Sequence, residues 1–150
     1  MKTATLAETA FWDSSGVTLL CVHQPSTAIA RRIQSKKRRV AFWWGMPLEV
    51  RSACRRLVGE GLLLPGDLAA AYRRLSLFSD SGIEIVPSEE VRSLAAAAID
   101  RHGLRAADAM QLGAALVLCR QLPRGRAFVC FDKKLALAAD LEGFAVLPPL

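Results

Sequence analysis

Residues Leu104–Leu118, LRAADAMQLGAALVL, carry one carboxylate where packing alone favours an apolar side chain. Helical steps from Asp108 reach Leu112, Ala115 and Cys119, with Leu116 beside them, so Asp108 heads the face expected to turn inward. An acid in the first turn of a helix has an ordinary explanation, because the macrodipole and the free N–H groups both favour negative charge there. Three more acids, Asp13, Glu49 and Asp132, sit at equivalent boundaries elsewhere in the chain. What flanks each of the four decides the fold.

Working outward, His102-Gly103 breaks the helix before this stretch, and Arg126–Phe131 (RAFVCF) after it reads as a strand stopping at Asp132. A helix over Lys133–Leu141 and a short fifth strand over Phe144–Leu147 complete the C-terminal part. Upstream, a first strand covers Ala10–Asp13, with Leu6 as a candidate extension, and ends in Asp-Ser-Ser-Gly. The following GVTLLCVHQ suits a short helix or a turn, and Pro25 to about Ser35 a helix. RVAFWW, residues 39–44, has the aromatic and β-branched content of a buried strand. Helical spacing then runs from Met46 to Val58, with Pro47 and Glu49 in its first turn, and again from Pro65 to Phe78. IEIV at 83–86 is the third strand, and Pro87-Ser88-Glu89-Glu90 opens a helix reaching about Arg101.

Strands separated by helices imply a parallel sheet of about five strands covered on both faces, a three-layer α/β/α sandwich. The 150 residues, 52% hydrophobic, suffice for one such domain over 1–150 and leave no room for a second. The apolar excess leaves surface for a partner or a second copy. No apolar run approaches the roughly 20 residues of a membrane span. The N-terminus lacks the apolar core of a signal peptide, so a cytoplasmic protein is expected. The four cysteines lie in apolar segments without CxxC spacing and read as buried thiols, not a zinc site. A net charge of +6 suits a polyanionic partner. No GxGxxG follows a strand, so dinucleotide binding has no support.

In a parallel α/β sheet the carboxyl ends of strands and the amino ends of helices share one edge, where ligands bind. Asp13 and Asp132 are expected to end strands, and Glu49 and Asp108 to begin helices, so topology alone brings all four there. Gathered carboxylates repel one another. A hard divalent ion, Mg²⁺ or Mn²⁺, resolves that conflict and is commonly shared with a substrate phosphate. The implied chemistry is hydrolysis of a phosphodiester by metal-activated water.

Hydrophobic-Asp-Ser-Ser near the N-terminus, LEVRSA, HGLRAADAMQLGAAL and FVCFDKKLA, in that order, resemble the four acidic motifs of PIN-domain nucleases. Within that family the chain is most similar to VapC-type ribonuclease toxins of toxin–antitoxin pairs. The resemblance implies that Asp13, Glu49, Asp108 and Asp132 ligate Mg²⁺ or Mn²⁺, and that Ser14 or Ser15 supports the substrate or a metal-bound water. It also implies an RNA substrate, a homodimer, and a small antitoxin bound across the helices near Glu49.

Each residue has a plainer role beside it. Asp13 and Asp132 suit helix caps, as do Ser14 and Ser15, and Glu49 suits a surface pair with Arg55 or Arg56. His102 suits a helix end, Trp43 and Trp44 a core or an interface with stacking on RNA as the lesser alternative, and the Lys36–Arg39 run a solvated turn with an RNA contact as the lesser alternative. Two other classes of function compete. One is a non-catalytic PIN-like module that binds RNA or protein. The other is a phospho-acceptor domain, which would carry an acidic pair after its first strand, where this chain has Asp13-Ser14-Ser15.

Overall fold

The computed structural model describes residues 7–150, so the extension of the first strand to Leu6 lies outside the described residues. Five strands, β1 Thr9–Trp12, β2 Arg39–Trp43, β3 Ile83–Ile85, β4 Ala127–Val129 and β5 Ala145–Leu147, pair in the order β3-β2-β1-β4-β5. Every pairing is parallel, which requires a helical crossover between strands. The described residues form seven α-helices: α1 Ser14–Cys21, α2 Thr27–Lys36, α3 Met46–Gly59, α4 Leu68–Ser81, α5 Glu89–His102, α6 Ala106–Leu118 and α7 Lys133–Glu142. None is long and apolar enough to cross a membrane.

The two-residue alternation of the central strands divides the core. Phe11, Ala41, Trp43 and Phe128 face α5, α6 and α7. Ala10, Trp12, Val40, Phe42 and Val129 face α1, α3 and α4. Helices α5 and α6 make the most extensive helix contact. Gly113 allows it, because a Cβ there would stand 2.8 Å from the carbonyl oxygen of Val91 and 3.1 Å from the nitrogen of Ala95. Ser88 caps α5 by accepting from the N–H of Val91 at 3.1 Å, and Gly103 ends it in the left-handed region at φ 64°.

Several boundaries differ from the expected ones. The strand expected over Arg126–Phe131 is only Ala127–Val129, because the N–H of Phe131 turns out of the ladder to donate to Ser15 Oγ at 2.8 Å. Asp132 therefore does not end a strand; it caps α7. The segment expected as a short helix or a turn from Gly16 is a helix that begins two residues earlier, at Ser14, with Asp13 as its N-cap. The single helix expected from Pro65 splits into a 3₁₀ turn, Pro65–Asp67, and α4. The inward face of α6 stops short of Cys119, which is the C-cap residue and only half-buried; the other three cysteines are buried, and all four are free thiols.

Candidate active site

Asp13 leaves β1 at its carboxyl end, and its N–H bonds the carbonyl of Val129 in β4 at 3.1 Å. Asp13 is 2% exposed, and its carboxylate is held by its own turn and by Cys130, 117 residues on. Oδ1 accepts from Ser15 Oγ at 2.6 Å and from the N–H of Gly16 at 3.2 Å, which caps α1. Oδ2 accepts from Cys130 Sγ at 3.5 Å. Ser15 thus donates to Asp13 while accepting from Phe131, tying the ends of β1 and β4 around the acid.

Glu49 stands in the first turn of α3, which Gly45 and Pro47 open directly after β2. Its Oε2 accepts from Gln111 Nε2 at 2.8 Å and its Oε1 from Ser14 Oγ at 3.4 Å. The surface pairing with Arg55 or Arg56 does not form; Arg56 approaches Glu60 instead, at 3.8 Å. Asp108 lies in the first turn of α6, one turn before Gln111 on the same face. Asp132 is exposed, and its Oδ1 accepts from the N–H of Leu135 at 2.9 Å. The cap roles expected of Asp13 and Asp132 are therefore real, and they leave other carboxylate lone pairs available.

All six site residues anticipated from the sequence, Asp13, Ser14, Ser15, Glu49, Asp108 and Asp132, line one cavity of about 520 Å³ that continues along α1 and α3 past Ser52 to Arg56. Among the described residues, none of the four acids has a Lys or Arg nitrogen within 4.0 Å. Burial pushes the Asp13 carboxyl up to about 6 against the pull of its hydrogen bonds. Burial pushes Glu49 up to about 7, and repulsion from Asp13 and Asp108 adds to it while Gln111 and Ser14 oppose. Asp108 is also raised, by burial and then by Asp132, with Arg105 and Lys134 pulling the other way.

These are hard oxygen donors, crowded and short of positive charge, and that chemistry suits Mg²⁺ or Mn²⁺. Among the described residues no three His, Cys, Asp or Glu side chains are grouped so as to hold a metal ion as they stand.

Two residues of the site were not singled out in the sequence. Gln111 is fully buried and its Oε1 has no partner, an unusual cost for a core amide. Its signal was the Asp108, Gln111, Leu112, Ala115 face, on which it is the second polar residue. Arg56, two turns after Glu49, brings a cation to the same cavity.

The fold is a three-layer α/β/α PIN-like one, with the acids along the carboxyl edge of its parallel sheet. Among solved structures the chain is similar to the crystal structure of FitAcB from Neisseria gonorrhoeae, at 20% identity and a TM-score of 0.61, covering 93% of this chain and 97% of that one. At that identity the likeness shows the shared fold. No protein-family model and no curated protein matches the chain.

Proposed function

We propose that this protein is a metal-dependent endoribonuclease of the PIN-domain toxin type. The observation that carries this reading is the convergence on one cavity of four carboxylates from four separate chain segments, none of them, among the described residues, with a Lys or Arg nitrogen within 4.0 Å, and with Asp13 buried. Asp13, Glu49, Asp108 and Asp132 would hold Mg²⁺ or Mn²⁺. The bound ion would supply an ionised water and neutralise charge on the phosphodiester. Ser15 fixes Asp13, Gln111 and Ser14 fix Glu49, and Arg56 offers a phosphate contact at the far end of the cavity. The FitAcB fold supports the PIN-type assignment. The motif resemblance extends it to a small antitoxin, a homodimer and a cytoplasmic setting. Exposed Leu48, Leu62, Leu64 and Leu77 on and beside α3 and α4 supply apolar surface for such partners.

The second reading, a non-catalytic PIN-like module that binds RNA or protein, draws on the two acids already engaged as caps and on the absence of a ready metal-holding group among the described residues. Cleavage of a panel of structured RNAs with Mg²⁺, with Mn²⁺ and with EDTA, alongside Asp108→Asn, separates the two. Metal-dependent cleavage that disappears in the variant is the expected result. Folded protein that leaves every RNA intact under all conditions would favour the binding module.

A further inference from the structure

The carboxylates occupy one edge of the sheet, and a group of six of the chain's 20 lysines and arginines lies at the other. The chain reaches the amino end of β2 through Lys37-Arg38-Arg39 and the amino end of β4 through Arg120, Arg124 and Arg126. These two strands flank β1. Arg39 pairs in register with Thr9, and the pairing of Ala10 with Ala127 sets Arg126 on the other side of Thr9. At about 4.8 Å between strands, Arg39 and Arg126 stand roughly 10 Å apart. The two-residue period puts both on the face occupied by Phe11, Ala41 and Phe128. Arg38, Arg39, Arg120 and Arg124 are exposed. Among the described residues none of the six cations lies within 4.0 Å of a carboxylate oxygen. Lys37 Nζ donates to the carbonyl of Ala7, and the backbone N–H of Arg39 donates to the carbonyl of Glu8 at 3.2 Å. Arg120 and Gln121 hold successive left-handed conformations, φ 52° and 59°, in the turn that presents the first of these arginines.

Six like charges at one edge repel each other and gain from a polyanion that neutralises several together. Five of the six are arginines, whose planar fork suits phosphate oxygens. We propose that the amino edge of the sheet is a second RNA-backbone contact surface, remote from the carboxylate cavity, and that the substrate is an RNA long enough to lie across it while one segment enters the cavity. The substrate part of this proposal rests on the ribonuclease reading. Thr9 and Asp13 mark the two edges on β1, and four residues of extended chain separate them by about 13 Å. A short oligonucleotide in the cavity leaves the amino edge unused.

The test measures binding in EDTA on an Asp108→Asn background, so that cleavage plays no part. Two fluorescent RNAs are used, one a hairpin of transfer-RNA size and one of about ten nucleotides. Adding Arg38→Ser, Arg39→Ser, Arg120→Ser and Arg124→Ser should weaken binding of the long RNA at least about tenfold at low salt. It should also flatten the dependence of log K on log salt by about 3, for four lost phosphate contacts. The short RNA should bind as before, and a control with Arg51, Arg55, Arg73 and Arg92 changed to Ser should leave the long-RNA slope nearly intact. If Arg39→Ser weakens β2, the triple variant without it lies in loops and should flatten the slope by about 2. An unchanged slope, an equal loss in the control, or a loss confined to binding of phosphatidylserine vesicles would each overturn the proposal. Protein that binds long RNA through this edge yet never cleaves would remove the nuclease reading and leave the surface standing. Cleavage of long RNA with unchanged affinity in the variant would do the reverse.

Discussion

Asp13→Asn should make the metal-free protein more stable at pH 8, although it removes a residue from the centre of the site. The Asp13 carboxyl is raised from 3.8 to about 6, chiefly by burial. The folded chain therefore holds that proton more tightly than the unfolded chain. Between about pH 4 and pH 6 the native state binds more protons, and stability falls as pH rises. Above pH 6 the whole penalty is present, a shift of about 2 units or roughly 3 kcal/mol. Asparagine keeps an oxygen for Ser15 and Gly16 and gives up only the weak contact from Cys130, at a cost of about 1 kcal/mol. The net gain is about 2 kcal/mol, or about 6 °C in Tm for a chain of this length. Thermal melts of both proteins in EDTA at pH 4 and pH 8 should show similar Tm values at pH 4 and the gain at pH 8. With saturating Mn²⁺ the difference should shrink or reverse, since ion binding stabilises only the protein that holds the ion. Equal destabilisation of the variant at both pH values would mean that Asp13 is an ordinary cap, and would refute the reasoning.

Three further substitutions probe other parts of the account. Gln111→Met removes the bond to Glu49 together with the unpartnered Oε1, so Tm should stay within about 3 °C while cleavage falls at least tenfold; equal activity would show that Glu49 needs no positioning. Gly113→Ala should cost about 1–3 kcal/mol in urea denaturation, because the new methyl meets the backbone of α5, and a neutral result would show that the two helices can separate freely. Gln121→Gly should raise stability by up to about 1 kcal/mol by relieving a left-handed residue, measured by the same denaturation; a loss would show that the Gln121 side chain holds the turn.

The parallel sheet was legible because each strand is short, apolar and followed by a helix with a clear start, as RVAFWW is by Gly45 and Pro47. The position of the four acids followed from that alternation alone, and Asp13 and Glu49 lie where it put them. The end of β4 was not legible, because a cross-chain bond from Phe131 to Ser15 sets it, 116 residues apart in sequence. The partner of Glu49 was hidden for the same reason. Nearby arginines offered a surface pair as the plainer alternative for Glu49, whereas its hydrogen-bond donor, Gln111, lies 62 residues away. The basic run at Lys36–Arg39 read first as a solvated turn and only second as an RNA contact; its proximity to Arg120, Arg124 and Arg126 comes from the strand order, which local sequence could not reveal.

Calorimetric titration of the purified protein with Mn²⁺ near pH 7.5 decides whether the clustered carboxylates form a divalent-metal site. Saturable Mn²⁺ binding is expected in the wild-type protein, abolished or greatly weakened in both Asp108→Asn and Glu49→Gln. Absence of binding by folded wild-type protein, or binding that survives both substitutions unchanged, would contradict such a site.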